Sequence, residues 1–498
     1  MTIISLMIYV AIAAAVLTVL VYFWKQGKIS VPDSFIQNYC GALFIFSGFV
    51  KVVDPLGTAY KMEQYFQQFQ AVAEGSFLKP VAGLFPMLEH ASVGFSVFVI
   101  VLEIVLGIML LVGAYRKLVV WLFFLILVFF LALTGFTYLT GYVPDGVNFF
   151  EFGKWADYDS KNMKVTDCGC FGDFLKLHPK TSFFKDVFLM LPGLWMLFRW
   201  RKLHQLFSPV FRTVLTGFSA VALTLFSFSN YIWDEPVLDF RPFKIGVNIR
   251  EQKEIEKKAA SEVKVSFKLK NKADGKVVVL TEDEYMKNFA QYPKVQWQVL
   301  DQIKSEPSIP ETKISYFDIA DLNGEDKTDS LLHEKKNTFL IISPKAKYKT
   351  HKETRQVVDS VFVYDTIWAD SKKLEYKVVK NSVGTKSREE VATVYDWDPN
   401  YIDALKKEIF PVVDSFAGRS VGVMFIVGGM GEQGIGKLRE FLAVPYGFYT
   451  CDDIVLKTIM RSNPGLLLLK DGVIKGKWHF KRLPEAEEMG HKYDLLKM

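Results

Sequence analysis

ASVGFSVFVIVLEIVLGIMLLVGAYRKLVVWLFFLILVFFLALTGFTYL, residues 91–139, decides the fold. Its charged side chains are Glu103, Arg116 and Lys117 alone. Two apolar runs, Ala91 to Val112 and Leu118 to Leu139, each approach the roughly 20 residues needed to cross a bilayer. The basic pair Arg116 and Lys117 occupies the short link between them. A helix apolar on every side belongs in lipid or deep in a large core, and a pair of them at this length predicts a membrane hairpin.

The same test extended outward adds Ile3 to Trp24, Tyr39 to Val53, Ser182 to Phe198 and Val210 to Ile232, for six predicted spans. Of the 498 residues 50% are hydrophobic and 15% aromatic, and that excess lies in the first half. The first segment has no basic residue before its apolar run, and Lys25 and Lys28 follow it, which predicts a retained anchor rather than a cleaved signal. Lys25 and Lys28, Arg116 and Lys117, and Arg199, Arg201 and Lys202 all fall on one side if both termini face outward. The expectation is a multi-pass protein of the inner membrane, with both termini, the loops at 54–90 and 141–181 and everything after Trp233 on the periplasmic side. A net charge of +6, partly spent on those flanks, and no basic stripe with interleaved aromatics argue against nucleic acid as a partner. Membrane lipid is the partner that the spans imply.

Asp167-Cys168-Gly169-Cys170-Phe171-Gly172-Asp173 precedes the fifth span on the outer side, in a compartment where thiols can pair. A Cys-Gly-Cys ring would be small and strained, and glycine permits the backbone angles that it needs. Lys164, Lys176 and His178 favour thiolate, while Asp167 and Asp173 oppose it. Three readings stay open: a redox-active pair, a static disulfide bracing the loop, and a metal site completed by His178. Cys168 and Cys170 are the candidate catalytic residues. Within the spans, Lys51 near the outer end of the second and Glu103 in mid-third are the conspicuous charges. Lys51 either snorkels to the interface or pairs with Glu103, or the two form a cofactor pocket. A redox-active pair needs an electron partner, and a quinone site lined by Lys51 or by Phe150, Phe152 and Trp155 is one expectation. Ala59 to Phe69 carries aromatics at helical spacing and reads as an amphipathic helix on the outer leaflet.

The stretch FIFSGFVKVVDPLGTAYKME (44–63), the acid followed by IVLG in the third span, and DCGCFGD resemble the DoxX-like membrane proteins, in particular the MauE-type redox-associated branch. The likeness covers about residues 36–200, with Cys168, Gly169, Cys170, Phe171 and Gly172 as its most specific element. It implies a four-helix membrane core, with spans one and six as additions, linked to disulfide chemistry of exported proteins.

After Trp233 the composition becomes that of a soluble domain. Glu251 to Lys258 reads as a charged helix; Val263 to Lys270 and Gly275 to Leu280 read as a hairpin that Ile314 to Ile319 extends. Thr338 to Pro344 and Ser420 to Val427 read as buried strands with a helix-rich insertion between them, including Ile402 to Phe410. Asn463-Pro464-Gly465 opening an apolar strand, followed by Lys470-Asp471-Gly472 and a second strand, looks like the closing half of a thioredoxin fold, with a cis Pro464. Where that family carries Cys-x-x-Cys this chain has Pro344-Lys345-Ala346-Lys347. Cys451 is the one sulfur of cysteine in this half and reads as a small buried hydrophobe or as an exchange partner of the Cys-Gly-Cys pair.

The predicted fold class is an α-helical membrane bundle of six transmembrane helices with a DoxX-like four-helix core, plus an extracytoplasmic α/β thioredoxin-like domain. The expected divisions are an anchor (1–35), the core (36–205), the sixth helix and linker (206–260), a β-rich segment (261–335) and the thioredoxin-like domain (336–498). Two functions compete: thiol–disulfide redox chemistry on exported proteins, and a non-enzymatic accessory subunit of a membrane protein complex in export or envelope assembly.

Overall fold

A computed structural model describes residues 2–165, 169–305, 307–368, 376–416 and 418–496, in two compact units. The first comprises Met1–Ser315, Lys457–Ser462 and Val473–Arg482; the second comprises Tyr316–Leu456, Asn463–Gly472 and Leu483–Met498.

In the first unit, α1 (Ile3–Trp24) is opened by a capping box between Thr2 and Ser5. It is followed by α2 (Val31–Val53), α3 (Pro55–Glu74), α4 (Leu84–His90), α5 (Ser92–Val112), α6 (Arg116–Leu139), α7 (Pro179–Arg199) and α8 (Pro209–Phe228), the last continued by a π turn to Trp233. The helices α1, α2, α5, α6, α7 and α8, some with their continuing turns, are long and apolar enough to cross a membrane. The second starts at Val31, eight residues before the expected Tyr39, because its polar first turns face protein. Asp33 meets Arg199 and Trp195, Gln37 bonds the Leu110 carbonyl, and Asn38 donates to Thr18. Satisfied in this way, polar residues can extend a span.

The helix α3 corrects the outer-leaflet expectation. Its Met62, Tyr65 and Phe66 pack with Leu133 and Phe136 of α6, and the Tyr65 hydroxyl bonds Thr137, so the aromatic face covers protein rather than lipid. The helix α9 (Ile249–Ser261) precedes β1 (Val265–Asn271), β2 (Val277–Thr281), α10 (Glu282–Lys287) and β3 (Trp297–Lys304), in an antiparallel sheet of order β2-β1-β3. The third strand is therefore Trp297–Lys304 and not Ile314 to Ile319. Lys313–Tyr316 is a 3₁₀ turn, fixed by Thr312 and Ser315 hydroxyls donating to the buried Glu256 of α9.

The second unit holds β4 (Ala320–Asp321), α11 (Thr328–Leu332), β5 (Asn337–Ser343), β6 (Tyr348–Trp368), β7 (Tyr376–Trp397), α12 (Pro399–Asp403), α13 (Phe410–Asp414), β8 (Val421–Val427), α14 (Glu432–Leu442), β9 (Gly447–Thr450) and β10 (Gly465–Lys470). Helices α15 (Asp453–Ile459) and α16 (Ala486–Lys492) complete the chain's helical elements. The sheet runs β10-β5-β8-β9-β4, with β5, β8 and β9 parallel and both flanking strands antiparallel. Every residue of β5 is buried, as its unbroken apolar run implies. The Asn463–Pro464 peptide is cis, and Asp471 and Gly472 take positive φ at the turn after β10. The insertion differs from expectation: before its helices comes a two-stranded antiparallel ribbon, β6 with β7, of 21 and 22 residues. Strand β11 (Val473–His479) belongs to the first unit, where Ile474 exchanges backbone bonds with Gly246 and Val247.

Candidate functional site

The helices α2 and α5 approach closely because glycines face each other. A Cβ on Gly107 would stand 2.8 Å from the Gly41 carbonyl oxygen, too near for any side chain. That approach lets Lys51 Nζ donate to Glu103 Oε2 deep in the bundle, with the ammonium 4.9 Å from the Phe130 ring centroid. The two residues are 4% and 1% exposed, so neither snorkels. Of the open readings for Lys51, the direct pair with Glu103 is the one observed.

Four residues before Lys51 on the same face of α2, Ser47 Oγ donates to the Cys170 carbonyl at 3.0 Å. This anchors the thiol loop to the membrane helix. Gly169 and Gly172 take φ of 62° and 52°, and the Gly172 N–H closes a turn onto the Gly169 carbonyl. Phe171 is fully buried and packs near Phe46, with the Lys185 ammonium 5.7 Å from its ring centroid. Cys170 is half-buried; Cys168 lies outside the described residues.

A second charged pair, which the sequence reading did not single out, completes the site. Lys185 bonds the neighbouring Asp186, and Thr134 Oγ1 donates to Asp186 Oδ2 at 2.9 Å. A cavity of 50 Å³ is lined by Ser47, Lys51, Glu103, Cys170, Lys185 and Asp186, among others, with Gly169 and Phe171 also in its wall. It has room for a few water molecules. Both acids of the lining are already partnered by lysines, so no step is assigned to a quinone there. Phe150, Phe152 and Trp155 form an aromatic cluster with Phe149 and are not among the cavity's lining residues.

The described charges expected around the thiols have partners of their own. Lys164 pairs with Asp145 at 2.6 Å, Lys176 with Asp173 at 3.4 Å, and His178 caps α7 by accepting from the Lys180 N–H. Asp173, the last residue of the motif, also lies 3.5 Å from Arg461 Nη2. Arg461 makes a two-pronged bond to Asp54 at 2.7 and 2.6 Å, and Asp54 caps α3 through the Gly57 N–H. The Arg461 and Ser462 N–H groups both donate to Glu235, which reaches Arg241 at 2.9 Å; Arg241 and Lys477 then share Asp239. Burial alone would raise Asp54, but Arg461 outweighs it and holds the carboxyl below its usual range. Burial likewise opposes ionisation of Asp239, yet Arg241 and Lys477 hold it down to about 2. Burial, reinforced by Arg241, pushes Lys477 down to about 8.

Gly172 lies beside Val50, close to the cavity wall. Pro464 and Cys451 belong to the second compact unit. Burial, then the adjacent Asp452, pushes the Cys451 thiol up to about 12, which leaves it a poor nucleophile at neutral pH.

No protein-family model, curated protein or solved structure matches the chain.

Proposed function

We propose that this is a multi-pass inner-membrane protein of thiol–disulfide exchange, with Cys168 and Cys170 as an outward-facing pair that acts on exported proteins. The observation that carries the reading is the seat of Cys170: the residue lines a charged cavity inside a helical bundle and is tied to the helix α2 through Ser47. A loop held this way presents sulfur from a fixed backbone, which suits exchange better than a loop free to collapse. In the oxidising direction a substrate thiolate attacks the Cys168–Cys170 disulfide, forming a mixed disulfide and releasing one thiol of the pair. The second substrate thiolate then displaces the remaining sulfur of the pair. One disulfide is broken and one formed, and two electrons pass from the substrate to the pair, which a second protein disulfide reoxidises by the same exchange; the reverse sequence reduces a substrate disulfide.

Outward orientation is supported by the meeting of Lys25, Lys28, Arg116, Arg201 and Lys202 at one end of the bundle, since basic residues concentrate on the cytoplasmic side. The DoxX-like, MauE-type likeness and the thioredoxin-like reading of the second unit are part of the same proposal. The parallel β5 and β8, the antiparallel β10 and the cis Pro464 support the latter. That unit would recognise partners, because Pro344 to Lys347 stand where the redox cysteines would be and the Cys451 thiol is suppressed. The same two facts favour the second reading, an accessory subunit whose outer unit docks a membrane complex.

Replacing Cys168 and Cys170 by serine in the intact cell separates them. Accumulation of reduced exported proteins is expected. Normal oxidation with loss of a co-purifying complex would establish the accessory role instead.

A further inference from the structure

We propose that the end of the bundle at the start of α2 is a preformed binding site for the phosphate groups of an anionic phospholipid. Three connections converge there: the segment after α1, the turn between α5 and α6, and the segment between α7 and α8. They enclose a groove of 580 Å³ whose charged lining is Lys25, Lys28, Arg116, Arg201 and Lys202, with no carboxylate among the described lining residues. Its distance from the thiol loop, roughly 24 Å along α2 from Val31 to Ser47 at the helical rise, makes it a separate site.

The backbone of the groove is held by a buried hydrogen-bond frame. Gln37, fully buried, donates to the Leu110 and His204 carbonyls and accepts from the His204 N–H. The His204 ring bonds Ser34 and the Leu111 carbonyl, and burial, with Lys25 nearby, pushes it below its usual range, so it serves the frame in its neutral form. The Leu206 N–H bonds the Val112 carbonyl, and Arg116 Nη1 donates to the carbonyls of Arg201 and Leu203. The segments meet so closely at Gly113 that a Cβ there would stand 2.0 Å from the His204 oxygen. The Arg116 side chain is bonded into this buried hydrogen-bond frame, which fixes the backbone that carries the five cations. Their mutual repulsion is relieved most effectively by one multivalent anion.

Position selects the lipid as the source of that anion. Trp24, Phe207 and Phe211 are exposed and in contact at the same end, Trp24 edge-to-face on Phe207 and Phe207 tilted against Phe211, in the manner of an aromatic belt at headgroup depth. Phosphates lie at that level, and basic pockets between membrane helices suit a headgroup with two of them.

The test uses the full-length protein in neutral detergent, with native mass spectrometry and thermal melting in the presence of diphosphatidylglycerol, phosphatidylglycerol, phosphatidylcholine or inorganic pyrophosphate. Retained adducts and a raised melting temperature are expected with the two anionic lipids, strongest with the diphosphate. Lys28→Gln with Lys202→Gln should weaken that binding by about fivefold for each cation removed, the factor equivalent to about 1 kcal/mol. Lys28→Arg with Lys202→Arg should preserve it and controls for folding. Equal stabilisation by phosphatidylcholine, or indifference of the adduct to the glutamine pair, would overturn the site. Pyrophosphate binding that depends on the groove and matches the lipids would overturn the assignment to lipid.

Discussion

Lys51 and Glu103 illustrate what a single buried contact demands. Taking two charges into the bundle costs several kcal/mol per ion, and only their contact offsets it. Glu103→Leu should destabilise the bundle by about 3–5 kcal/mol, whereas Glu103→Leu combined with Lys51→Met should cost clearly less than the sum of the two single changes. Unfolding in detergent measures both, and strict additivity would count against a coupled pair. Asp239 sets a pH expectation. Its carboxyl is held at about 2 against an ordinary 3.8, so its contribution is complete above 3.8 and is lost as pH falls through 2. Asp239→Asn should therefore remove acid sensitivity on the order of 2 kcal/mol within that window, visible as a flatter melting-temperature profile. Lys51 and Glu103 were legible because each is a lone charge in an apolar run. Lys185 and Asp186 were not, since adjacent opposite charges at the start of an amphipathic span look like a solvated helix end.

Among the elements, close packing of α2 on α5 depends on backbone contact through Gly41 and Gly107. Gly107→Val should cost about 1–3 kcal/mol or more by forcing the helices apart, while Gly94→Ala, where a Cβ would meet nothing within 4 Å, should be tolerated. Comparing the melting curves and Cys170 alkylation of the two variants checks this; equal effects would show that the glycine contact does not set the helix spacing. The helix cores were readable from hydropathy, but not the polar start of α2, where Asp33 and Gln37 are satisfied by partners over 70 positions away. The ribbon β6–β7 was hidden for the opposite reason. The described side chains of this two-stranded ribbon are mostly exposed, so no hydrophobic alternation announces them.

For the whole molecule, the decisive fact is that the first unit is not contiguous in sequence. Arg461 reaches Asp54 across 407 positions, and Lys477 reaches Asp239 across 238. No local pattern could reveal such closure; it depends on complementary charge brought together by folding. A chain ending at Leu456 would leave Asp54, Glu235 and Asp239 without these partners. Its membrane half should melt about 10 °C below that of the intact protein, from the cost of unpaired buried charge. Melting temperatures that coincide would mean that the distal segments ride on the unit without supporting it.

This discontinuity also sets an order for biosynthesis. At about 5–20 residues per second, the ribosome needs roughly 7–30 s to travel from Ser315, where the first long stretch of the unit ends, to Lys457, where its next piece begins. Throughout that interval Asp54 lacks Arg461 and Asp239 lacks Lys477, partners not yet synthesised. The nascent bundle thus stays unclosed for longest beside Asp173, at the end of the loop that carries Cys170.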